Sequence, residues 1–204
     1  MIDRGTRQGG TAAFMAASWP LRAKPQGRSA RVGELIWRDS GLYDNTDDAL
    51  RDACKQEVQA MDDSARRLGV TLHCVHVRML EDVDPGVRKR VEGRAQAVLM
   101  PVTSTRQGVE CEHAQAALKY RLPLMSDASY VVPLGALMSD GPDLGDVYRR
   151  AGKDVGRVLK GEKPAEMPVE EPSRFILSLN LKTARVLGLT LPASVTVLAD
   201  EVIE

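Results

Sequence analysis

From residue 31 onward the chain switches repeatedly between two hydrophobic periods, one suited to a strand and the other to a helix. Val32 to Trp37 is a short apolar run that predicts a first strand, and Arg38 to Thr46, rich in Asp, Ser, Gly and Asn, predicts a loop. Leu50, Cys54, Val58, Met61, Ala65 and Leu68 then recur every three or four residues. That spacing predicts a long helix over Asp47 to Leu68, with Asp47 and Asp48 favouring its amino end and Gly69 stopping it. The β-branched run Val70 to Val77 predicts a second strand. Asp84-Pro85 opens the next helix, since proline in a first turn gives up an N–H that has no intrahelical partner. Ala95 to Met100 predicts a third strand, Gln107 to Tyr120 a helix and Leu122 to Met125 a fourth strand. Leu134 to Ser139 predicts a fifth, with Asp140-Gly141-Pro142 read as the turn that closes it, and Leu144 to Leu159 is a further helix.

Strands that alternate with helices of ten or so residues imply βαβ units. The expected fold class is therefore α/β: three layers, with a mostly parallel sheet of about five strands and helices on both faces. A chain of 204 residues can bury one sizeable core. The pattern divides it into a leader over 1–29, an α/β lobe over 30–161 and a tail over 162–204. In the tail, a Pro-punctuated loop runs into an alternating strand and then a small helix headed by Asn180 and closed by Gly188. Phe175, Ile176, Leu177 and Leu179, with Leu181, Val186, Leu187 and Leu189, form too much apolar surface to leave in water at ~25 cal/mol per Å². The tail must fold back on its own lobe or pack against another chain. The expectation here is a homodimer in which tails or exposed cleft faces meet.

The stretch Tyr148 to Glu204 carries a resemblance. Lys160-Gly161-Glu162-Lys163-Pro164, Asn180-Leu181-Lys182-Thr183-Ala184 and the terminal Ala199-Asp200-Glu201-Val202-Ile203-Glu204 resemble the carboxyl end of ABC-transporter substrate-binding proteins of the tryptophan/tyrosine type, a periplasmic-binding-protein family. Arg67 to Leu72, Ala95 to Pro101, Arg121 to Leu124 and Gly135 to Pro142 resemble successive parts of that family's carboxyl-terminal lobe. The resemblance spans about Ala30 to Glu204 and is sharpest after residue 134. It implies a single periplasmic-binding-protein-like lobe, with no counterpart of the amino-terminal lobe that completes the ligand clamp in two-lobed relatives. It also implies a small amino-acid-like ligand, an ABC permease as partner, and no catalysis. Relatives have Asn and Pro in the loop after the first strand of this lobe, where this chain has Arg38-Asp39-Ser40-Gly41, so that contact does not carry over.

Charge and composition narrow the field without adding a motif. Lys plus Arg equal Asp plus Glu at 28 each, so no net field draws the chain to nucleic acid, and the few aromatic residues supply little stacking surface. Three cysteines at irregular spacing give no disulfide framework. Arg4 and Arg7 ahead of the apolar run Thr11 to Leu21 have the layout of a signal peptide, although Ser18, Pro20, Arg22 and Lys24 weaken it. The family's precursors carry a similar Ala-rich run ending Trp-Pro-Leu, so the resemblance implies an exported or periplasmic protein if the leader functions, and a cytoplasmic one otherwise.

No phosphate-binding glycine loop and no Gly-x-Ser-x-Gly elbow occurs, so neither a nucleotide site nor a serine hydrolase has support, and no cofactor is expected. His73, Cys74, His76, Cys111 and His113 are residue types that zinc accepts, but their spacing spreads them over opposite faces of a strand or helix, and no metal site is expected. In an open parallel sheet, ligands meet the loops at the carboxyl ends of strands. Those loops offer Arg38, Asp39 and Ser40 after the first strand, Thr103, Ser104 and Thr105 after the third, Asp127, Ser129 and Tyr130 after the fourth, and Asp140 after the fifth. Their hydroxyls and carboxylates can hydrogen-bond an ammonium or carboxylate group, and Tyr130 can stack on an apolar one. The same residues are ordinary loop formers. Two other classes fit the chain: a self-associating structural or regulatory α/β domain, and a small enzyme built on Cys111 or Asp127.

Overall fold

The computed structural model describes residues 30–37, 59–77, 80–101 and 109–204. Among these residues, seven strands form one sheet: β1 (Ala30–Trp37), β2 (Val70–Val77), β3 (Ala97–Met100), β4 (Leu124–Ser126), β5 (Met138–Pro142), β6 (Phe175–Asn180) and β7 (Glu201–Ile203). Their order is β2-β1-β3-β4-β5-β6-β7. All neighbours are parallel except β5 and β6, which run antiparallel. The helices are α1 (described over 59–67), α2 (Val83–Glu92), α3 (Glu110–Lys119), α4 (Leu144–Leu159), α5 (Leu181–Leu187) and α6 (Ala193–Thr196). The expected strand-helix alternation and parallel sheet are present, and the tail adds two strands to the five of the lobe.

Alternation along the strands explains the three layers. Val98 and Met100 of β3 and Leu124 of β4 pack with Val83 and Val87 of α2 and with Ala114 and Ala117 of α3. Their neighbours Leu99 and Met125 point to the opposite face, where Met138, Leu177 and Leu179 meet Val195 of α6 and Met61 of α1. Each short central strand is thus buried on both sides, the pattern expected of parallel strands covered by helices. On the first of these faces, Asp84 of α2 accepts hydrogen bonds from Lys119 Nζ at 2.6 Å and Tyr120 Oη at 2.8 Å, tying the start of α2 to the end of α3.

Among the boundaries that differ from expectation, that of β5 bears most on the site. Asp140-Gly141-Pro142 is the end of β5, paired in register with Leu177, Ile176 and Phe175, and Leu134 to Leu137 precede the strand instead of forming it. The glycine is there for close approach: a Cβ on Gly141 would stand 1.6 Å from the carbonyl oxygen of Asp127. Proline, which lacks a ladder donor, sits at the last strand position, where its missing N–H costs little.

The tail closes on its own lobe. Leu177 and Leu179 have no exposed surface, and β6 lies along β5 over its whole length. Asn180 joins the two parts: its Oδ1 caps α5 by accepting from Thr183 N at 2.9 Å, and its Nδ2 donates to Val132 O at 2.9 Å. Thr183 Oγ1 donates to Gly135 O at 3.2 Å, and Gly188 ends α5 at φ 70°, the left-handed conformation that favours glycine. Asp200 holds β7 in place, its carboxylate accepting from Leu177 N at 2.9 Å. The apolar strand that motivated a tail-to-tail dimer is therefore covered within one chain.

Two substitutions separate close approach from helix propensity. Gly141→Ala should cost about 3 kcal/mol or more, because rigid backbone and no flexible side chain stands in the way. Gly156→Ala, in α4 with nothing within 4 Å of the new methyl, should stabilise by up to about 1 kcal/mol. Urea unfolding midpoints check both, and equal midpoints for the two variants would refute the close-packing argument.

Candidate functional site

At the carboxyl ends of β4 and β5 the structure gathers several polar side chains. Asp127 follows β4 directly, and Ala128 leads into the short 3-10 turn Ser129–Val131. Ala128 N donates to Ser126 Oγ at 3.3 Å, which fixes the exit from the strand. The turn lifts Tyr130 to the surface, where its ring is 42 % exposed while Val131 is buried beneath it. Tyr130 Oη donates to Glu110 Oε1 at 3.2 Å. Glu110 opens α3 and is itself buried, at the helix end whose dipole favours a negative charge. Burial first, and the Glu110 carboxylate second, push the Tyr130 phenol up to about 12, with smaller contributions from Asp127 and Tyr148.

Asp140 lies inside β5, one residue along from the Ser126–Ser139 pair, and is buried. It is thus a strand residue and not part of the loop expected after the fifth strand. It remains at the same edge as Asp127, since Gly141 touches the Asp127 backbone. Ser129 is half-buried and begins the turn, with its carbonyl accepting from Val132 N at 3.1 Å. The expected site residues Asp39 and Ser40, with Arg38, and Thr103, Ser104 and Thr105 lie outside the described residues. Glu110 and Tyr148 were not foreseen. Glu110 reads in sequence as helix interior, and only the later start of α3 brings it to the edge.

A row of small hydroxyls backs this edge. Ser126, Ser139 and Ser178 stand side by side across β4, β5 and β6, all buried. Ser178 Oγ donates to Glu201 Oε2 at 2.7 Å. Ser139 Oγ has no hydrogen-bond partner.

Of the zinc-type residues, the side chains of Cys74 and His76 lie outside the described residues. His73 is exposed on β2, and His113 is buried on α3 with its Nδ1 2.7 Å from Val109 O. A carbonyl can only accept, so Nδ1 carries the proton. Cys111 is a free thiol that accepts from Gln115 Nε2 at 3.2 Å. Among the described residues, no group of three or more His, Cys, Asp or Glu side chains could hold a metal ion, and no helix is long and apolar enough to cross a membrane.

The comparisons with known proteins bear on this edge. The model of a family described as ABC transporter substrate binding protein matches residues 48–203. The chain belongs to that family. Among solved structures, an ABC domain in complex with L-Trp from Streptococcus pneumonia is similar, with a TM-score of 0.75 and 24% identity over 94% of this chain. A conserved domain protein from Vibrio cholerae has a TM-score of 0.71 at 20% identity over 84% of the chain. A substrate-binding protein with adhesive properties from Clostridium difficile, in its ligand-free, open form, has a TM-score of 0.59 at 18% identity over 86%. At these identities the structures establish a shared fold. The chain spans 59%, 54% and 54% of those three proteins, so each of them is much longer. No curated protein matches the chain.

Two titrations check the local chemistry. Desolvation, the largest influence, lowers the His113 pKa; its bond to Val109 and the carboxylates Glu110 and Glu112 oppose that, while Arg90 adds to it. A depressed folded value means that the associated stability is present above the unfolded value of about 6.5 and is lost as pH falls through the folded value. Melting temperature should therefore drop as pH is lowered below about 6.5, and less so in His113→Gln. At the alkaline end, a difference absorbance titration should show one tyrosine ionising near pH 12, and Tyr130→Phe should remove that late step.

Proposed function

We propose that the chain is the ligand-binding lobe of an ABC importer's solute-binding component, and that it takes a small amino-acid-like molecule without transforming it. The observation that carries this reading is the grouping of Asp127, Tyr130 and Glu110 at the carboxyl edge of a parallel sheet, in a chain that belongs to a substrate-binding family. Ligands of open α/β sheets meet that edge. Carboxylates gathered there favour an ammonium group, and the exposed Tyr130 ring offers a surface for an apolar side chain. One neighbour of similar fold is described in complex with L-Trp, which supports the same ligand class.

Binding by one lobe buries only one side of a ligand, so affinity in the high micromolar to millimolar range is expected, well short of what a closed clamp achieves. An ABC permease is the expected partner, and a periplasmic or exported location the expected address if the leader functions.

Isothermal titration against a panel of aromatic and aliphatic amino acids tests the proposal. Binding of at least one member is expected, weakened about tenfold or more by Asp127→Asn and several-fold by Tyr130→Phe, with the fold intact by circular dichroism. Silence across the panel at millimolar concentration would overturn the reading.

A further inference from the structure

The hydroxyl of Tyr130, the exposed ring of the candidate site, is already committed. A phenol carries one proton, and this one is donated to Glu110 Oε1 at 3.2 Å. Toward any other group the Tyr130 oxygen can then only accept. Glu110 is buried in the first turn of α3, at 6 % exposure, whereas Tyr130 stands 42 % exposed on the turn after β4. The ring is therefore what a ligand meets, and the carboxylate acts on it from within. A tyrosine side chain swings about two torsions, and holding its far end fixes both. The backbone below is fixed as well, because the next residue, Val131, has no exposed surface. After burial, the groups that most strongly keep the phenol protonated are carboxylates, Glu110 in contact and Asp127 at longer range.

We propose that Glu110 is a positioning residue for ligand recognition: by holding the Tyr130 phenol it presents the ring face to an apolar side chain and leaves an oxygen that accepts but does not donate. This deepens the amino-acid reading above and rests on it. The consequence is a choice of which end of the ligand this edge reads. An ammonium N–H can be donated to the Tyr130 oxygen and is favoured by the charges of Glu110 and Asp127. A ligand carboxylate finds no proton on that oxygen and meets two like charges. The edge therefore reads ammonium and side chain, and the ligand's own carboxylate is directed away from Tyr130. A ring set in place beforehand also spares the cost of ordering it when the ligand arrives, which raises affinity without adding a contact. Glutamine at position 110 keeps an oxygen that accepts the phenol proton, and alanine keeps none, so the two replacements separate positioning from charge.

Tryptophan, tryptamine and 3-indolepropionate, titrated against the full chain near neutral pH, test the proposal. Tryptamine, which keeps the ammonium and lacks the carboxylate, should bind within about threefold of tryptophan, and 3-indolepropionate, which reverses this, about tenfold or more weakly. Glu110→Ala should weaken tryptophan about tenfold or more, and Glu110→Gln should restore it to within about threefold. Three-bond side-chain couplings of Tyr130, measured by NMR on the free protein, report the positioning without any ligand. They should show one χ1 rotamer in the native chain and in Glu110→Gln, and averaging in Glu110→Ala. Tyr130→Phe cuts the same tie from the other side and should average the ring too, so the test does not depend on Glu110→Ala folding. Equal binding of tryptamine and 3-indolepropionate, a Glu110→Gln chain that binds as weakly as Glu110→Ala, or a single rotamer once the tie is cut would each overturn the proposal. If none of the three probes binds, the amino-acid reading loses its aromatic ligands, and the couplings alone decide the role of Glu110.

Discussion

The antiparallel pairing of β6 with β5 is the constraint on which the rest depends. Without it β5 would end the sheet, and Leu177 and Leu179 would be in water, at about 1.5–3 kcal/mol each by area. The pairing places Asn180 where one amide both caps α5 and holds the Val132 carbonyl, and it sets the register that lets Asp200 reach Leu177 N. It also runs along the strand that carries Asp140 and Gly141, so it stiffens the edge where the candidate site sits. Site and tail therefore form one mechanical unit.

Much of the fold was legible because short, doubly buried strands read as uninterrupted apolar runs and the helices keep a clear three-to-four spacing. The boundary of β5 was not. Asp140-Gly141-Pro142 has the chemistry of a turn, and only the tight approach of the Asp127 carbonyl explains a glycine inside a strand. Local sequence holds no record of what another segment's backbone will do. The closing of the tail on its own lobe was hidden for a similar reason: an apolar strand states that it needs a partner edge without saying which one.

The candidate site was read unevenly. Asp127 and Tyr130 follow from the rule that ligands meet strand ends, and the structure brings them together. Glu110 escaped because a carboxylate in a helical period looks like an ordinary solvated residue, while here the helix start turns it inward to Tyr130.

The position of β7 and β6 at the end of the sheet has a consequence for synthesis. As the chain emerges from the ribosome, β1 to β5 can assemble in order, yet the free edge of β5 stays open until some forty further residues have followed, including all of α4. Throughout that interval the nascent lobe exposes unpaired strand edge beside an apolar helix, the combination that invites wrong pairing between neighbouring chains. The interval ends only when Phe175–Asn180 has followed, so slow codons between α4 and β6 would lengthen the vulnerable period.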